Sequence, residues 1–300
     1  MKIRKIFAGA AFAAVACGWL PCGCSVKAGN GDAGNGSGNE IPIRVATVVT
    51  RVADERFEDG DVLGLFVVNE PEALAASGNQ YDNETLTFDG GVLKSRELYY
   101  RDDRTVTDFY CYFPYAETVA DMEAVPFRVN ADQSTPELYN GSDFLWGRTI
   151  GVMPSERLVN IQMRHLTSCL RVVLKPGAGW TADELAGATV RVCGLKTEGF
   201  ASLKDGGVEV GEAAEDIVAK NDGGGVFSAL VVPQSVVNAE LVKIKVGTNE
   251  YALRTSVSLQ SGRAHACTVT VNKTGGSINV GIVGWETDEK DYGGSLEERR

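Results

Sequence analysis

Residues 41–49, IPIRVATVV, alternate along the chain. Ile41, Ile43, Val45 and Val49 share one face with Thr47, while Pro42, Arg44, Ala46 and Thr50 take the other. A period of two predicts a half-buried strand. A charged, turn-rich stretch follows, then VLGLFVV, a short apolar run that reads as a core strand. ETLTFDGGVLKSRELYY predicts two strands around an Asp89-Gly90-Gly91 turn. VTDFYCYFPY is aromatic and β-prone and stops at Pro114, and SDFLWGRTIG is a further short unit.

RLVNIQMRHLTSCLRVVLK carries a phase change. Val159, Ile161 and Met163 put apolar side chains on odd positions, whereas Leu166, Leu170, Val172 and Leu174 put them on even ones. One flat strand in one core cannot do both. The reading places a domain boundary at His165–Leu166. Beyond it, ATVRVCGL, GFASLKD, GGVFSALVVP, LVKIKVG, EYALRTSVSL and AHACTVTVN are short strands parted by Gly, Asn and Asp. Only TADEL starts a helix: Thr181 and Glu184 have capping-box spacing, for one or two turns. The pattern predicts an all-β chain of two consecutive β-sandwich domains, 41–165 and 166–300, with at most one or two short helices.

Composition sharpens this picture at the amino terminus. Lys2, Arg4 and Lys5 precede the apolar run 6–20, which is shorter than the roughly 20 residues of a membrane span. Residues 1–23 read as an export signal. The step from Gly23 to Cys24 resembles the lipobox of bacterial lipoproteins, in which the cysteine becomes the lipidated first residue. AVAC, ending at Cys17, is the alternative. Residues 24–40 are rich in Gly, Asn and Ser and read as a flexible tether. Loss of the signal leaves 26 basic against 40 acidic residues, a net charge of −14. Such a surface repels phosphate backbones, so nucleic acid is excluded as a partner.

Candidate chemistry is sparse. His165 and His265 stand alone, with no HExxH, no GxSxG nucleophile elbow and no phosphate-binding glycine loop. The chain reads as a non-enzyme without cofactor or metal. Cys111, Cys169, Cys193 and Cys267 sit in strand-like runs without CxxC spacing, and read as small buried thiols ahead of disulfide partners. Tyr99, Tyr100, Tyr110, Tyr112 and Trp146 are the aromatics available for a sugar-binding platform.

The ordered series from IPIRVATVV through DFYCYFPY, DQSTPELYNGSDFLWG, VNIQMRHLTSCLRVVLKPGAGW and ALVVPQSV to CTVTVNKTGGSINVGIVGWETD resembles the fimbrillin-like surface lipoproteins of Bacteroidetes, the type V pilins and their Mfa-like relatives. The resemblance covers roughly 41–294. It implies transthyretin-like topology for both sandwiches, attachment to the outer membrane through a lipid, and a place in a cell-surface fimbrium that acts in adhesion. It also implies assembly with other pilin subunits. In the polymerising members of that family, an arginine-specific protease removes the first strand and a neighbour's strand fills the vacancy. Carried onto this chain, the removable strand presents Ile41, Ile43, Val45 and Val49. The processing residue is Arg51, with Arg56 as alternative. The candidate donor strand presents Ile278, Val280, Ile282 and Trp285, and the EERR ending offers no further strand. The other function carried by the sequence is a glycan-binding surface lipoprotein for nutrient capture, whose platform is the aromatic set above.

Overall fold

The computed structural model describes residues 40–49, 57–273, 280–284 and 295–298. In chain order the strands are β1 (Arg44–Val49), β2 (Val62–Asn69), β3 (Tyr81–Asp89), β4 (Val92–Lys94), β5 (Thr107–Phe113), β6 (Val125–Arg128), β7 (Leu145–Val152), β8 (Leu158–His165), β9 (Ser168–Pro176) and β10 (Thr189–Val192). They continue with β11 (Glu198–Ala201), β12 (Val208–Val210), β13 (Ile217–Val218), β14 (Lys220–Gly223), β15 (Val226–Val231), β16 (Ser235–Val246), β17 (Asn249–Ser258), β18 (Ala264–Val271), β19 (Val280–Gly284) and β20 (Ser295–Glu298). Two five-residue helices, α1 (Pro136–Asn140) and α2 (Ala182–Ala186), interrupt them. The all-β reading holds.

The first seven-stranded sheet runs β1-β8-β7-β5-β2-β3-β4. Its inner face carries Leu63, Leu65, Val67, Phe109, Cys111, Val159, Ile161 and Met163, all at most 4 % exposed. β7 and β8 share only two register pairs, Leu145↔His165 and Trp146↔Arg164. The sheet turns there, and its two arms share one core. Its outer face has a second core, built on Phe66, Val68, Tyr112 and Trp146 and covered by Leu166, Ala201 and Leu203. β2 is therefore buried on both faces, which is why it reads as a continuous apolar run rather than an alternating one.

The second half is a sandwich of two five-stranded sheets, β13-β10-β16-β17-β20 and β14-β15-β9-β18-β19. Leu170, Val172, Phe227, Ala229, Val269 and Val271 of one sheet meet Val190, Val192, Val242, Ile244 and Leu253 of the other. The phase change read at His165–Leu166 has a simple cause. β8 ends at His165, β9 begins at Ser168, and the two belong to different sheets.

Segment 125–140 crosses that break. β6 pairs with β11, and β11 pairs with β12, forming a three-stranded sheet from both halves of the sequence. Val129 lies in the core of the second sandwich. Gln133, fully buried, donates through Nε2 to Leu230 O and accepts from Leu230 N, both at 2.8 Å. Its side chain substitutes for a strand residue beside β15.

Local signals behave as their chemistry requires. Asp89 faces Val92 across the glycine turn. Thr181 and Glu184 form the reciprocal capping box. α1 is not marked in the sequence reading, although Thr135 caps it and Pro136 occupies its first turn. One expectation is corrected. The carboxyl-terminal segment does contain a further strand: β20 lies antiparallel on β17, with Tyr251↔Glu298 and Arg254↔Ser295. The ladder is made by main-chain groups of an edge strand, so polar side chains do not prevent it.

Candidate functional site

Edge strands are the feature that can do something here, because an edge presents an unpaired row of N–H and C=O groups. β1 ends the seven-stranded sheet and runs parallel to β8, from Arg44↔Leu158 to Val49↔Met163. Parallel partners need no adjacent sequence. Just before β1 the chain turns its other side to residues 98–100. Ile43 N donates to Leu98 O at 2.8 Å and Tyr100 N to Ile41 O at 2.9 Å, with Pro42 opposite Tyr99. Ile43 is 7 % exposed, and Ile41 and Val45 pack half-buried against the same core.

β1 therefore covers β8. The residues in register with Val45, Thr47 and Val49 are Val159, Ile161 and Met163, three core side chains. Withdrawing β1 would bare both their apolar surface and the β8 ladder, a strand-shaped vacancy. Beside β1, toward β4, lies a cleft of about 720 Å³ floored by Ile43, Leu86 and Leu98 and rimmed by the exposed Val92 and Leu158.

Arg51, Arg56, Cys17 and Cys24 fall outside the described residues, as do Ile278 and Trp285. Val280 and Ile282 lie on β19, in register with Val269 and Cys267 of β18. In this chain the candidate donor strand is thus an edge strand of its own second sandwich.

Cys111, Cys193 and Cys267 are free thiols, and Cys169 Sγ lies 3.5 Å from the Tyr139 hydroxyl. Burial pushes the Cys111 and Cys267 thiols up to about 12 and Cys193 to about 11, so all three are protonated and inert. Of the proposed sugar platform, Tyr100, Tyr112 and Trp146 are buried. Trp146 donates its indole N–H to Leu203 O at 2.8 Å, and the guanidinium groups of Arg164 and Arg148 lie over its ring, 4.9 and 5.7 Å from the centroid. The same arginines donate to the carbonyls of Lys204, Asp205 and Gly206. Trp146 thus locks the 202–207 turn to the first sheet, a structural role the sequence did not mark. Among the described residues no group of three or more His, Cys, Asp or Glu could hold a metal ion.

The fimbrillin-like family model matches residues 50–285. This chain belongs to the fimbrillin-like family. It is 25% identical over 251 residues to the "Putative fimbrium subunit Fim1C" of Bacteroides uniformis, spanning 79% of this chain and 81% of that protein. Two solved structures share the fold. A "putative cell adhesion protein" from Bacteroides uniformis has a TM-score of 0.65 at 21% identity, over 86% of this chain and 99% of that one. Another, from Bacteroides ovatus, has 0.65 at 19%, over 83% and 99%. The fimbrillin-like chain thus matches these proteins across both halves.

Proposed function

We propose that this fimbrillin-like chain is a structural subunit of a cell-surface fimbrium, and that it assembles by strand addition after losing its first strand. Family membership and the similarity to a fimbrium subunit support the subunit role. One observation carries the strand-addition reading. β1 is a terminal strand of its sheet, lies over three core residues of β8, and is followed at once by the arginine-bearing segment. A cut after Arg51, or after Arg56, separates β1 from the rest of the chain. A neighbour's extended segment then completes the β8 ladder with main-chain hydrogen bonds and fills the pockets over Val159, Ile161 and Met163 with alternate side chains.

Upstream, export and lipid attachment at Cys24, or Cys17, would tether the subunit to the outer membrane. Adhesion is the role assigned to the assembled fibre. β19, with Val280 and Ile282, and β20 are the chain's own edge strands available for exchange.

The test is treatment of the full mature chain with an arginine-specific protease. The expected product is one shortened species beginning at Val52, identified by mass spectrometry, that forms oligomers in size-exclusion chromatography and short fibres in electron microscopy. Arg51→Gln should delay it or shift the cut to Arg56. A chain that stays intact and monomeric under protease overturns the strand-addition reading.

A further inference from the structure

The two histidines, a hundred residues apart in sequence, meet at one joint. The link between β8 and β9, Leu166–Thr167, is buried on both residues. Three segments hold it. Leu166 N donates to Phe144 O at 2.7 Å. Asp143 takes the Thr167 hydroxyl on Oδ1 and the His165 Nδ1 on Oδ2, both at 2.6 Å. From the other side comes the turn Gln260–Arg263. Gly262 N donates to Thr167 O at 2.8 Å, Cys169 N donates to Arg263 O at 2.9 Å, and the Ser261 hydroxyl reaches His165 O at 3.4 Å. Gly262 has φ +67°, and a Cβ there would sit 3.1 Å from His165 O, so the turn is pressed against the link.

The turn is in turn held by His265. Its Nε2 accepts the Gln260 backbone N–H at 3.1 Å. Only a neutral imidazole with Nε2 unprotonated can accept this bond. We propose that the Gln260–Arg263 turn is an acid-released latch on the β8–β9 joint: a proton from solvent taken up on His265 Nε2 occupies the lone pair that holds Gln260, and the turn lets go of Thr167 and Cys169.

The surroundings favour release. Arg263 is the charged neighbour acting on His265, and a second positive charge beside it is repelled. Burial first, and Arg263 second, lower the His265 pKa, so the latch stays closed at neutral pH and opens on acidification. On β9, Leu170 is in register with His265, and Arg171, one residue on, takes the opposite face. β19, across β18, contains no titratable residue. The inference does not depend on the fimbrial reading.

Hydrogen exchange of the full chain at pH 7.5 and 5.0, corrected for intrinsic rates, tests it. Expected is at least a tenfold loss of protection at pH 5.0 in peptides covering 260–264 and 166–170, with β2 unchanged. In His265→Gln the amide oxygen can accept without titrating, and the pH step should vanish. Imidazole chemical shifts of the unsubstituted chain give a second reading: His265 should be the Nδ1–H tautomer at pH 7.5, titrating together with the exchange step. Unchanged protection at pH 5.0, a step that survives in His265→Gln, a parallel change in β2, or an Nε2–H tautomer would each overturn the latch.

Discussion

Gln133 shows how much one side chain can carry. Its amide has both a donor and an acceptor, and both are used on the main chain of Leu230. The residue also donates its own N–H to Val218 O, and Val218 N returns a bond to Ala131 O. An apolar replacement of the same size keeps the packing and strands two buried main-chain groups. Each such group costs on the order of 1–3 kcal/mol. Gln133→Leu should therefore lower stability by about 3 kcal/mol, read as a shift of the urea midpoint at unchanged slope. A loss under about 0.5 kcal/mol would mean that water replaces the amide.

At the scale of elements, β1 pairs with β8 along its length, and just before it Ile43 is buried while Ile41 bonds to residue 100. Ile43 anchors its beginning. Ile43→Ala should cost about 2 kcal/mol, the low end of the range for aliphatic truncation because an edge can relax. It should also speed arginine-specific cleavage severalfold, since the segment must leave the sheet to fit a protease. A fall in stability without faster cleavage would separate anchoring from processing. β1 was legible in the sequence because period-two alternation is local, and so were the Asp89 turn, β5 ending before Pro114 and the α2 capping box. Its partner was not. A parallel neighbour a hundred residues away leaves no mark in either strand's pattern. Residues 125–140 were opaque for the same reason, since the role of Gln133 exists only once Leu230 is beside it. β20 was missed because SLEE has no apolar period, and a ladder of main-chain groups leaves no pattern in the side chains. Of the candidate site, the strand and its inward residues were readable, while the vacancy it covers needed β8.

For the whole molecule, the strand break at His165–Ser168 suggests two bodies, yet β6, Val129 and Gln133 fasten the first half of the sequence into the second. Leu166, Ala201 and Leu203 in turn complete the outer core of the first sheet. Neither half buries its apolar surface alone. Unfolding one would expose part of the other's core, and such coupling makes a chain unfold as one unit. Two tryptophans report on the two regions. Trp146 lies in the outer core of the first sheet. Trp180, donating to the Tyr251 hydroxyl at 3.0 Å, packs against the second sandwich. With Trp285→Phe as the background and the signal that holds Trp19 removed, Trp146→Phe and Trp180→Phe variants each keep one tryptophan, whose fluorescence should follow one urea transition, coincident with far-ultraviolet circular dichroism. Each variant's midpoint should move for both probes together. Trp146→Phe should move it more, by about 1–2 kcal/mol, because the phenyl ring leaves the buried Leu203 carbonyl without its donor. Two separated transitions, one seen by each tryptophan, would show instead that the crossing segment yields before either sandwich does. The subunit would then have a hinge where the interlock now predicts a single rigid link in the fibre.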